Sequence, residues 1–211
     1  MGDVVFLVNG QQVRWSPSLI DYLLKNLPTE TVECGLGKKT VIMSSLGDLL
    51  TLKKFVFRGE SDESPAEEGL FYQYELEILR AESSYFKAQW SGQYEESFSD
   101  EVLTTKVVDI ETFKNTLYIL SCFDKEPVEE FDINELISLL QFTDGHGFND
   151  NIIRMISEKI VSFLTNPENE SLINVDINIL LDLYSLVYLK VNPQQTDSFA
   201  RSIETKLQRQ R

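Results

Sequence analysis

Cysteine and histidine are nearly missing from this chain: Cys34, Cys122 and the single His146 are all it has in 211 residues. Two thiols cannot staple a small disulfide-framed domain, and one imidazole with two distant thiols cannot supply the three or four ligands of a zinc site. Basic charge is also short. Nineteen Lys and Arg stand against 34 Asp and Glu, a formal net charge of −15. A surface that acidic repels phosphate backbones and anionic lipid, so neither nucleic acid nor a membrane surface is an expected partner. No stretch approaches the roughly 18 apolar residues of a membrane span. The first apolar run, Val4–Val8, is short and has no basic flank, so no secretory leader is expected. Phe6 stands where a myristoylation signal wants Ser or Thr. Without a leader the triplet Asn169-Glu170-Ser171 carries no weight as a glycosylation acceptor. The expected setting is reducing and intracellular, cytoplasmic or nuclear.

What is present can build a core. Hydrophobic residues make up 42% of the chain and aromatics 11%, well above the composition that leaves a chain disordered. Val4–Val8 and Gln11–Trp15 flank Asn9-Gly10, a strong hairpin signal because both turn residues tolerate positive φ. The first strand is apolar on both faces and is expected to be buried. Ser16-Pro17 then supplies a cap and a first-turn proline, with Ile20, Leu23, Leu24 and Leu27 at helical spacing before Pro28. Strands are expected at 40–43 and 54–58, and an acidic solvated loop at 60–68. A further strand is read from the alternation of Tyr72 to Leu79, and another is best placed on Lys106–Ile110. After Glu111 the pattern is helical. Its stripes are Phe113, Leu117 and Leu120; Leu136, Leu139 and Leu140; Ile152, Ile156, Ile160 and Phe163; then Ile177 to Tyr188; and Phe199, Ile203 and Leu207.

Groups that could carry chemistry are isolated. His146 lies in Asp144-Gly145-His146-Gly147, a turn between two helices, with no nucleophile elbow of the Gly-X-Ser-X-Gly kind anywhere in the chain. Gly35-Leu36-Gly37-Lys38-Lys39-Thr40 lacks the four residues a phosphate loop places between its glycines, and it precedes a strand rather than a helix. The acidic run at 60–68 has no Asp-X-Asp-X-Asp-Gly order for calcium. The expectation is a protein that is not an enzyme and takes no metal or cofactor.

Glu77-Ile78-Leu79-Arg80-Ala81-Glu82-Ser83-Ser84-Tyr85-Phe86-Lys87-Ala88 resembles the central helices of the BTB/POZ domain family, which carry Ala-Val-Leu, a few small or polar residues, then Ser-Pro-Tyr-Phe. Trp90 to Ser97 is similar to the stretch after its second helix. Lys106 to Phe113 is similar to its strand running into a helix with an inward Phe, and Tyr118 to Phe123 stands at its Tyr and Thr-Gly turn. Residues 134–141 and 149–164 are similar to its last two helices, and Asp3 to Gly10 to its opening strand. This chain has Glu75 where the family starts its first helix with His-Arg or His-Lys, and Ser83-Ser84 in place of Ser-Pro. Two alignments stay open. Either residues 28–70 are an insertion, or the hairpin at 4–15 is not the family's and its second strand is 72–79.

The resemblance implies an α+β fold, a small sheet with a helical cluster. It implies a BTB/POZ-like domain over 1–165, with an inserted segment at about 28–70, and a C-terminal helical extension over 166–211. It also implies a non-enzymatic interaction module that self-associates as a homodimer and docks on a cullin-RING ubiquitin ligase. In such adaptors a hydrophobic residue, any residue, then Glu after the second helix contacts the cullin. Tyr94 and Glu96 stand at those positions, with Phe98 beside them. The expected dimer surface takes in Val4, Phe6, Leu23 and Leu24. The alternative is a stand-alone scaffold, or a competitor that blocks BTB or cullin partners without ligase activity.

Overall fold

The computed structural model describes residues 3–27, 29–34, 37–42, 46–57, 67–90, 102–105, 110–122, 131–166, 176–188 and 190–209. The fold is α+β, and the chain divides into two compact units, Met1–Glu126 and Pro127–Arg211.

The first unit opens with a hairpin of β1 (Val4–Val8) and β2 (Gln11–Trp15). The pair is antiparallel, and its register runs from Val4 opposite Trp15 to Val8 opposite Gln11. Asn9 and Gly10 turn it with φ of 50° and 82°. These left-handed values match the twist of the flanking strands. Helix α1 (Pro17–Asn26) begins where Ser16 Oγ accepts from the Leu19 amide at 3.1 Å, and it buries Leu19 and Leu23. A second antiparallel hairpin follows, β3 (Thr29–Cys34) with β4 (Gly37–Ile42).

The remaining described strands form one three-stranded sheet in the order β6-β5-β7. After the single-turn α2 (Leu46–Leu49), β5 (Leu52–Phe57) pairs antiparallel with β6 (Glu67–Tyr72) and parallel with β7 (Val102–Thr105). Among the described residues, α3 (Gln73–Glu82) and α4 (Ser84–Gln89) lie in the chain between β6 and β7, and α5 (Ile110–Ser121) comes after β7. The inner face of the sheet is aromatic. Phe55 lies 5.0 Å from Phe113, 5.1 Å from Phe57 and 5.9 Å from Phe71 between ring centroids, and Phe86 lies 6.0 Å from Phe113. Phe55, Phe86 and Phe113 are fully buried. Such tilted and edge-to-face contacts add to the area each ring buries. Gly69 sits opposite Phe55 in the ladder. A Cβ there would stand 2.7 Å from the Phe71 ring and 3.3 Å from the Phe57 ring, so the strand needs glycine to let the rings close over it.

Two expectations are corrected. Tyr72 to Leu79 is not a strand. It is the end of β6 and the first turns of α3, because Tyr74, Leu76, Ile78 and Leu79 are all buried and a helix covered on most sides shows no 3.6-residue stripe. In the stretch 102–110 the described strand is Val102–Thr105 and Ile110 starts α5, while the expected placement on Lys106–Ile110 lies, but for Ile110, outside the described residues. β1 is not buried on both faces. Val5 is 51% and Leu7 76% exposed, because a two-stranded ribbon is covered on one side only. The segment read as an insertion, about 28–70, holds β3, β4, α2, β5 and most of β6.

The second unit, among its described residues, is helical: α6 (Ile133–Gly145), α7 (Asp150–Thr165), α8 (Ile177–Val187) and α9 (Pro193–Arg209). Each start is capped by a side chain. Asp132 Oδ1 accepts from the Asn134 and Glu135 amides at 2.7 and 3.0 Å, while Glu135 Oε2 accepts from the Asp132 amide at 2.8 Å, a reciprocal capping box. Asn149, Asp176 and Asn192 each accept from one amide at the start of α7, α8 and α9. The core joins Leu136, Leu139 and Leu140 of α6 with Ile156 and Ile160 of α7, Leu180 and Val187 of α8, and Phe199 of α9. Buried Thr143 and Ser157 donate to carbonyls four residues back at 2.7 Å, so neither hydroxyl is stranded.

Candidate interaction surface

Only part of the expected interface falls where it can be described. Tyr94, Glu96 and Phe98 lie outside the described residues. Of the expected dimer residues, Leu23 is 1% exposed and belongs to the core of its own unit, so it presents nothing to a partner. Leu24 beside it is half-buried. Val4 and Phe6 share the covered face of the hairpin with Val13 and Trp15, and the Phe6 ring meets Trp15 edge-on at 5.0 Å. Val4 is still 40% exposed.

The opposite face of β1 was the one missed. Strand alternation puts Val5 and Leu7 together there, facing Arg14 and Gln12 of β2 across the ladder. The sequence carried half of the signal: the Asn-Gly turn fixes which residues pair and share a face, but not which face is left uncovered.

Behind that hairpin lies a polar cluster that ties helices together. Trp15 meets Tyr74 edge-on at 5.2 Å, and Tyr74 stacks on Tyr72 at 5.9 Å. Tyr22 of α1 donates its hydroxyl to the Glu82 carboxylate at the end of α3. Burial, then the bond to Glu82, push the Tyr22 phenol well above its ordinary value, so it stays a donor. Burial likewise raises Tyr74. Glu75 Oε2 accepts from the Tyr72 amide at 2.8 Å, and burial holds its carboxyl above the usual range while that bond pulls the other way. These groups serve α1 and α3 as anchors.

His146 is the C-cap of α6, its Nδ1 2.8 Å from the Phe142 carbonyl and its ring 4.2 Å from the Phe142 ring. Burial lowers its pKa, which favours the neutral imidazole. Among the described residues no three His, Cys, Asp or Glu side chains gather where they could hold a metal ion. No described helix is long and apolar enough to cross a membrane.

Other apolar groups stand in the open. Leu70 is 65% exposed on β6, and in the second unit Ile179 and Leu181 of α8 and Tyr188 just past its end are exposed. The β6 position differs from β1 in its charges. Glu67 and Glu68 precede Leu70, and Glu68 pairs with Lys54 at 2.6 Å. No protein-family model and no curated protein matches this chain.

Proposed function

We propose that this chain is a non-enzymatic protein–protein interaction module of BTB/POZ-like type, an adaptor that self-associates and docks on a cullin-type scaffold of a ubiquitin ligase. The observation that carries the reading is the order of elements in the first unit. An antiparallel hairpin (β5-β6) leads into two helices (α3, α4), then a strand joining the same sheet in parallel (β7), then a helix whose Phe113 is fully buried. That is the order the resemblance implies. On this reading the family's opening hairpin corresponds to β5-β6 rather than to 4–15. Ser83, buried, caps α4 through the Phe86 amide at 3.2 Å, and Phe86 is fully buried, which suits the place of Ser-Pro-Tyr-Phe.

On this reading Tyr94 supplies an aromatic anchor, and Glu96 a carboxylate at the rim of the contact, the usual division of labour in a protein interface. The excess of acid across the chain favours a basic partner surface. The test is titration of the full chain with the purified N-terminal part of a cullin by calorimetry. Saturable binding that weakens at least about tenfold in Tyr94→Ala is expected, the scale of one interface anchor. Absence of binding, or binding indifferent to Tyr94→Ala and Glu96→Lys, overturns the docking contact. The fold would then serve as a stand-alone scaffold or a competitor.

A further inference from the structure

We propose that β1 pairs edge to edge, antiparallel, with β1 of a second copy of this chain, with Phe6 on the two-fold axis. The inference rests on the self-association reading and gives it a seam. Among the described strands β1 has one neighbour, β2, so its other edge is open. In a hairpin with a two-residue turn, the residues bracketing the turn exchange hydrogen bonds and alternate pairs do the same. Val8 with Gln11, Phe6 with Val13 and Val4 with Trp15 therefore bond across the ribbon, and the N–H and C=O groups of Val5 and Leu7 point away from β2. Those two residues also carry the exposed side chains.

An open edge is normally blunted by charge, proline or a bulge. β6 follows that rule with Glu67 and Glu68. Val-Val-Phe-Leu-Val of β1 has none of these devices, and its register with β2 is unbroken. Self-complementarity of the uncharged edge is what fits a second copy to it. A chain at −15 meets like charge over much of its surface when it meets itself, yet β1 offers five positions in a row without any. Centred on Phe6, the pairing sets Val5 against Leu7 of the second copy and Val4 against its Val8, so no charge faces a charge. The nearest acid, Asp3, shares the outer face with Arg14, which lies diagonal to it on the same hairpin. Val5 and Leu7 of each copy then exchange both main-chain bonds with Leu7 and Val5 of the other. Two two-stranded ribbons become one four-stranded sheet with a continuous apolar strip on its outer face.

Sedimentation of the full chain across a roughly hundredfold range of concentration tests this, because self-association shifts by mass action. The chain is expected to sediment as a dimer at the upper end. V5K/L7K sets ammonium groups directly opposite one another at both outer pairs, and such pairs are destabilising. It is expected to remain a monomer with unchanged far-UV circular dichroism. In V5C/L7C the paired positions come to about 5.5 Å between Cα atoms, within disulfide reach. Mild oxidation is expected to yield a covalent dimer that neither the parent chain nor either single cysteine variant forms. A parent chain that is monomeric throughout overturns the proposal. So does a dimer that survives V5K/L7K without in-register crosslinking, although self-association elsewhere would then stand. Should V5K/L7K lose its fold, the crosslink decides alone, since both replaced side chains are exposed. Cullin binding is read by its own titration, so failure here with binding there removes only the edge pairing.

Discussion

Single residues in this chain are constrained by what faces them, and two glycines show it by contrast. Gly69 lies under the rings of Phe71 and Phe57, both buried and wedged against Phe113. Gly69→Ala is expected to destabilise the chain by about 1–3 kcal/mol through overpacking, measured by urea unfolding. Gly145, at the end of α6, has nothing within 4 Å of where its Cβ would be. Gly145→Ala is expected to leave stability unchanged or raise it by up to about 1 kcal/mol. Equal losses at both positions would contradict the ring-closure account. Glu75 is constrained by burial instead. Its carboxyl is raised above the ordinary range in the native state, so native protein holds a proton that the unfolded chain has already released. The native state binds more protons between the ordinary and the raised value, and this group's contribution to stability falls as pH rises through that window. Glu75→Gln keeps an oxygen to accept from the Tyr72 amide and removes the titration. The difference in unfolding free energy between parent and variant is expected to grow in the variant's favour across the window. Parallel pH profiles would mean that Glu75 ionises freely.

At the scale of elements, local chemistry that was legible in sequence is chemistry that acts over a few residues. Asn9-Gly10 announced its turn because few other residue pairs accept two left-handed φ values in succession. Ser16-Pro17 announced α1, and the spaced leucines and isoleucines announced α6 to α9, because each of those helices is covered on one side only. α3 was misread for the opposite reason. Its apolar positions 74, 76, 78 and 79 fit a period of two as well as any helical stripe, and only tertiary burial decides between them. The exposure of β1 was illegible for a related reason, since an all-apolar strand reads as buried whether its second face is covered or waiting for a partner. Of the candidate site, Leu23 fell in the core because a buried α1 leucine and an interface leucine look alike in sequence. The caps, by contrast, can be tested one at a time. Asp132→Ala removes the oxygen that accepts from two amides at the start of α6, and a loss of about 1 kcal/mol is expected, measured by thermal or urea unfolding. Tyr22→Phe strips α1 of its bond to Glu82. A comparable loss of about 1 kcal/mol is expected, since the pair is only partly buried.

For the whole molecule, the net charge of −15 separates the two modes of association by their salt response. Edge pairing through β1 brings together two copies whose summed charge repels, across a seam that itself carries none. Screening removes the repulsion and leaves the seam untouched, so self-association is expected to tighten as ionic strength rises. Docking on a basic partner depends on attraction across the interface rim, and the same screening weakens it. The Debye length falls from about 30 Å at 0.01 M to about 8 Å at 0.15 M, which covers the distances over which both effects act. Sedimentation and cullin titration carried out across that range should therefore move in opposite directions, the dimer strengthening while the complex weakens. Were the dimer also to weaken with salt, its seam would have to pair opposite charges, and the uncharged edge of β1 could not be that seam.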